Sequence, residues 1–153
     1  MKKKKLRKSD IRELNTQTSK YDYEAGKKDN VEIIEDDFRI VSINDKPMFF
    51  YYENKIIPTL KALLDGVSLK KVVVDMGAVK FLASGADVMR PGITDIEDGI
   101  EPGDPVAVVD ENNNKPIAVC IAMFSSDDMR DMDSGKVLKN IHYVGDLIWN
   151  FRM

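Results

Sequence analysis

Two cations flank glycine–alanine steps near the middle of the chain. Asp75–Ile93 reads DMGAVKFLASGADVMRPGI, with Lys80 between Gly77-Ala78 and Gly85-Ala86, and Arg90 just beyond. Glycine lets a second backbone come close because no Cβ intervenes, and it adopts positive φ without steric cost. Bare backbone N–H groups at such junctions suit a phosphodiester backbone. Arg90 can fork two hydrogen bonds to one phosphate, and Lys80 offers a point charge. The bland alternative for both is a solvated surface charge. The chemistry indicated is recognition of a polyanion.

The other reactive residue types form no catalytic set. His142 is the single histidine and stands beside Tyr143 on an apolar run, with no Cys or second His to share a metal. Cys120 is the single cysteine, so an intrachain disulfide and a thiolate zinc site are both excluded. Its apolar neighbours predict a buried, inert thiol. Asp127, Asp128, Asp131 and Asp133 lack the spacing of a calcium loop and are better read as a helix cap and a solvated face. No nucleophile elbow and no phosphate-binding P-loop is present. The chain is expected to be no enzyme and to carry no cofactor and no metal.

The elements that must hold these residues are short. Residues 70–153 predict a strand at Val72–Asp75, a helix at Val79–Ser84 and a strand at Ala86–Met89. Further strands are expected at Ile93–Ile96, Pro105–Val109, Pro116–Phe124 and Val137–Val144, with an Asn-rich hairpin loop over 110–115 and a short helix capped at Ser125 to Asp128. Many short strands with one early helix suit a small closed barrel. In residues 1–69, Ser9 and Asp10 suggest a helix start, and Ile11 and Leu14 mark its apolar stripe. Three strands follow, Val31–Ile34, Phe38–Ile43 and Pro47–Tyr52, as an antiparallel meander. Pro58 opens a helix carrying Leu60, Leu63 and Leu64. The aromatic run Phe49–Tyr52 could stack on bases, but half core and half interface is the better reading.

The 153 residues are 43% hydrophobic and 32% charged, enough for one ordinary domain or two small ones. The net charge of −3 hides an asymmetry: residues 1–69 hold 14 Lys+Arg against 12 Asp+Glu, and residues 70–153 hold 9 against 14. A contact with RNA in the second half must therefore come from a local patch. The opening MKKKKLRK places six basic residues in the first eight, either a solvated tail or an arm on RNA phosphates. No apolar run reaches transmembrane length and the start lacks a signal-peptide core, so the expected location is cytoplasmic.

With GA-x6-GADVMRPGI early and the PxAVxxA strand late, the second half resembles a PUA domain, the RNA-binding module named after pseudouridine synthases and archaeosine transglycosylases. Phe49-Phe50, Pro58-Thr59-Leu60, Lys139-Asn140-Ile141-His142-Tyr143 and Trp149 extend the likeness over nearly the whole chain. It is similar to the archaeal PUA proteins related to malignant T-cell-amplified sequence protein and the N-terminal part of ligatin. The resemblance implies an α+β protein: a small N-terminal α/β domain over 1–69, an antiparallel meander with helices and a basic N-terminal arm, packed on a C-terminal PUA β pseudobarrel over 70–153. It implies a translation factor on the small ribosomal subunit, acting in initiation, reinitiation or tRNA release. Its partners would be structured RNA, either ribosomal RNA of the small subunit alone or tRNA as well, with a protein partner in trans or none, and with no DNA and no membrane. The alternative is an accessory PUA subunit of an RNA-modifying enzyme such as archaeosine tRNA-guanine transglycosylase. Carried over by position, the RNA face would comprise Ala78, Val79, Lys80, Gly85, Ala86, Asp87, Val88 and Arg90, with Lys136, Lys139, His142 and Tyr143.

Overall fold

Short runs of apolar and β-branched residues, broken by two- and three-residue turns, give a meander in the first half of the chain. The computed structural model describes residues 1–152, which divide into two compact units: residues 1–68 joined by the chain from Asn150 onward, and Leu69–Trp149. The first unit is a five-stranded antiparallel sheet in the order β1 (Lys2–Lys5), β2 (Val31–Glu35), β3 (Arg39–Ile43), β4 (Lys46–Tyr52), β5 (Lys55–Pro58). Asn44-Asp45 and Glu53-Asn54 close the last two hairpins with positive φ at both positions, the geometry that matches strand twist.

Two of these strands depart from the sequence reading. The lysine run is no free arm: Lys2 to Lys5 pair with Glu35 to Glu32, and the N–H of Leu6 donates to the Val31 carbonyl at 2.9 Å. Pro58 ends β5 instead of opening a helix. It is tolerated there because β5 is an edge strand with no ladder bond to lose on its outer side. Thr59 is the true cap of α2 (Leu60–Leu64), accepting from the Ala62 N–H at 3.1 Å. Helix α1 (Lys8–Thr18) begins earlier than expected, with Arg7 as cap and Asp10 accepting the Arg7 N–H at 3.3 Å. Tyr21 and Tyr23 pack on Phe49, with ring centroids 6.3 and 5.5 Å away. Phe49 and Phe50 are only 0% and 2% exposed, so neither can stack on a base.

The second unit holds β6 (Lys71–Val74), α3 (Met76–Leu82), β7 (Val88–Met89), a 3₁₀ turn at Arg90–Gly92, and β8 (Ile93–Ile96). Strands β9 (Pro105–Asp110) and β10 (Pro116–Ala122), helix α4 (Ser126–Asp131) and strand β11 (Lys136–Tyr143) complete it. The sheet order is β7-β11-β10-β9-β6-β8, antiparallel except for the parallel pair β6–β9. Strands β7 and β8 are thus its two edges, yet only Arg90–Gly92 separates them. Six flat strands would hold those edges about 24 Å apart, while the linker spans at most about 14 Å. The sheet must roll into a nearly closed pseudobarrel. Val72, Val74, Leu82, Val106, Val108, Cys120, Met129 and Leu138 fill it. Burial pushes the Cys120 thiol up, so it stays protonated and inert. The fold is mixed α+β.

Candidate nucleic-acid interface

The Asp75–Ile93 segment builds one side of a groove on the barrel. Asp75 caps α3, its Oδ1 accepting from the Ala78 N–H at 2.9 Å, and Glu111 Oε1 accepts from the Met76 N–H at 3.4 Å. At the other end the Gly85 N–H donates to the Leu82 carbonyl at 3.0 Å and the Ala86 N–H to that of Phe81 at 3.1 Å. These four amides are therefore engaged internally. The expectation of bare N–H donors is corrected for Ala78, Gly85 and Ala86, whose amides a capping carboxylate and helix-end carbonyls have claimed. Gly85 is needed for a different reason. Its φ is +91°, and a Cβ there would lie 3.0 Å from Cε1 of Tyr143.

The groove has a volume of about 610 Å³. Small residues Gly77, Ala78, Ala86 and Gly92 line it, with Phe81, Met89, Asp75, Asp87 and Lys136 around them. Phe81 and Met89 are 59% and 51% exposed, an unusual state for large apolar side chains. Lys80 is exposed next to the groove, its Nζ 5.2 Å from the Phe81 ring centroid. Lys136 pairs with Asp87 at 3.3 Å while staying accessible.

The remaining expected positions divide by burial. Lys139 is exposed on β11, and Tyr143 lies half-buried beneath Gly85. Val79 is half-buried against the core. Val88 and His142 are 3% and 1% exposed, so their side chains cannot touch RNA directly. Arg90 is partly engaged within the unit: its Nε donates to the Met129 carbonyl and its Nη1 to that of Ile93 at 3.3 Å. Among the described residues the two N–H groups of Nη2 and the second of Nη1 face no such acceptor, so the guanidinium braces the turn and keeps its outer edge for another.

Sequence reasoning passed over four residues that shape this surface. Phe81 and Met89 lie at spacings that read as core. Asn140 on β11 donates its side-chain amide to the carbonyls of Leu82 and Ala86, at 3.2 and 3.0 Å, and its backbone N–H to Asp87 Oδ1 at 2.8 Å. It bolts the end of α3 to the last strand. Asp146 gathers the turn after β11, accepting from the N–H groups of Tyr143 at 2.9 Å and Trp149 at 2.8 Å and meeting His142 Nδ1 at 2.9 Å. Burial works to raise its carboxyl, but the His142 contact and the two backbone donors outweigh that and hold it below the usual range. Among the described residues no cluster of three or more His, Cys, Asp or Glu could hold a metal, and no helix is long and apolar enough to cross a membrane.

Residues 70–144 match the PUA domain family, and residues 2–65 match a domain family of unknown function, DUF1947. The chain is 54% identical to an uncharacterized protein of Methanocaldococcus jannaschii, over 82% of this chain and 79% of that one. It is 32% identical to Translation machinery-associated protein 20 of Saccharomyces cerevisiae, over 82% and 74%. A crystal structure of a hypothetical protein from the hyperthermophilic archaeon Pyrococcus horikoshii superposes with a TM-score of 0.83 at 38% identity, covering 97% of this chain and 98% of that one.

Proposed function

Because this chain belongs to the PUA-domain family that includes Translation machinery-associated protein 20 and Malignant T-cell-amplified sequence 1, we propose that it is a cytoplasmic translation factor binding RNA of the small ribosomal subunit. It acts there in initiation, reinitiation or tRNA release, through recognition without bond-making and with any protein partner supplied in trans. The observation that carries this reading is likeness through both units, at 32% identity, to a protein named for the translation machinery.

The groove supplies the chemistry. The exposed Phe81 ring and the Met89 side chain offer a platform for the face of an unpaired base. Lys80, Lys136 and Lys139 meet flanking phosphates, and Nη2 of Arg90 adds a directed donor. Gly85 and Ala86 keep the wall low enough for a sugar–phosphate backbone to approach. Val88, Asp87, Tyr143 and His142 hold these groups in place from beneath. The test is co-sedimentation with purified small ribosomal subunits at one fixed salt concentration. The Lys80→Ala/Phe81→Ala protein should bind about tenfold to a hundredfold more weakly than wild type, since stacking and one phosphate contact are each worth about 1 kcal/mol or more. A double variant that pellets like wild type places the RNA elsewhere. Co-purification with an RNA-modifying enzyme, without subunit binding, would favour the accessory-subunit role instead.

A further inference from the structure

The first unit carries a charged surface that the groove does not explain. Strand β1 is a sheet edge made of four consecutive lysines, all exposed. Register places Lys2 opposite Glu35 and Lys5 opposite Glu32, which would ordinarily give cross-strand pairs. Both acids are engaged elsewhere: Glu35 pairs with Arg39 at 3.4 Å, and Glu32 accepts from Asn30 Nδ2 at 3.1 Å. Among the described residues none of the four lysines makes an ion pair within 4.0 Å. A sheet edge needs only an occasional lysine to deter strand addition, so four in succession exceed that purpose.

The geometry adds direction to the charge. Lys2 shares a face with Glu35 and Arg39, and Lys4 lies two residues along on that same face. Lys2, Lys3, Lys4 and Arg39, with Glu35 and Ile33, line a depression of about 470 Å³. Arg39 is itself held over the Tyr51 ring, 4.5 Å from its centroid. Alternate residues of a strand are about 6.8 Å apart, close to the distance between neighbouring phosphates of a nucleic-acid strand. Pairing with β2 fixes the spacing of their Cα atoms, so only the side chains, and not the backbone, need ordering when a polyanion arrives.

We infer that β1 is a second RNA-binding site, in which Lys2 and Lys4, with Arg39 beside them, take successive phosphates of an RNA backbone. The inference rests on the RNA-binding reading of the protein and extends it to the first unit. The site reads phosphate and not base, so it adds affinity and salt dependence without sequence preference.

Fluorescence anisotropy with a labelled RNA hairpin bearing a single-stranded 3′ extension tests this across a salt series. The full-length Lys2→Gln/Lys3→Gln/Lys4→Gln/Lys5→Gln variant should bind about tenfold more weakly at low salt. The slope of log affinity against log salt should fall by about 1.4 to 1.8, the amount for two phosphates. Arginine at the same four positions should restore wild-type binding. Circular dichroism checks the fold, and the Lys2→Gln/Lys4→Gln pair replaces the quadruple variant if that one unfolds. An unchanged slope in the glutamine variant, with Lys80→Ala/Phe81→Ala still weakened, overturns the second site and leaves the groove reading standing. Loss by the arginine variant equal to that of glutamine overturns it too, because charge would then be irrelevant. A defect seen with whole subunits but not with the hairpin means that the edge meets a protein. No RNA binding by the wild type, even at low salt, removes both readings.

Discussion

At the scale of single residues, Gly85 and Asp146 fix the surface through backbone geometry. Gly85 combines a positive φ with a close ring neighbour, whereas Gly135 has φ +92° and nothing within 4 Å of its ideal Cβ. Alanine at Gly135 should therefore report backbone strain alone, about 1 kcal/mol. Alanine at Gly85 must also displace Tyr143 and should cost about 2 to 3 kcal/mol, read from urea midpoints of both variants. Equal losses would mean that the Tyr143 ring yields freely. Asp146 makes a prediction about pH. Its folded carboxyl lies below the usual range, so its stabilisation is present in full above the unfolded value of about 3.9. That stabilisation is lost as pH falls through the lower folded value. Asp146→Asn should be about 2 kcal/mol less stable near neutral pH, with the gap closing in acid. A gap that does not narrow at all as pH falls below ~4 would show that the carboxylate charge is not what holds the turn.

At the scale of elements, β1 decides how the lysine run should be treated in experiments. Deleting residues 2–5 removes a paired strand and makes β2 the sheet edge. It should lower the thermal midpoint, while glutamine substitution, which keeps the ladder, should shift it little. Equal midpoints for wild type and the truncation would mean that β1 pairing contributes nothing. The strand shows why part of the fold was not legible in the sequence. Lysine has low strand propensity, and a run of it reads as a tail; only the partner strand, thirty residues away, reveals the pairing. The short Lys55–Pro58 strand hid behind its proline in the same way. The β9–β10 hairpin was readable because continuous apolar runs flank an Asn-rich loop. Lys80 and the glycine steps stood out by residue type. The bracing of Arg90 did not, because its acceptor on Met129 is distant in sequence. Phe81 went unnoticed because an apolar residue on a helix looks like core until its exposure is known.

At the scale of the whole molecule, the two units carry different kinds of surface, a groove with exposed apolar side chains and a cationic sheet edge. The rolled sheet of the second unit has one further consequence. Strands β7 and β8 are each laddered on one side only, to β11 and β6, and no ladder joins them to each other. The Arg90 side chain, reaching the carbonyls of Met129 and Ile93, ties the turn between them to α4 and to the start of β8. A continuous ring of strands has no preferred line along which to breathe, whereas this one does. Amide hydrogens of Val88, Met89 and Ile93–Ile96 should exchange with deuterated solvent by local opening, well before those of the doubly flanked β9 and β10. Uniform protection around the barrel would contradict this. Met89 and Gly92 line the groove at that same line, so a bound RNA should slow exchange there first. The barrel would then be clamped shut by its own cargo, at the one place where it was built to come apart.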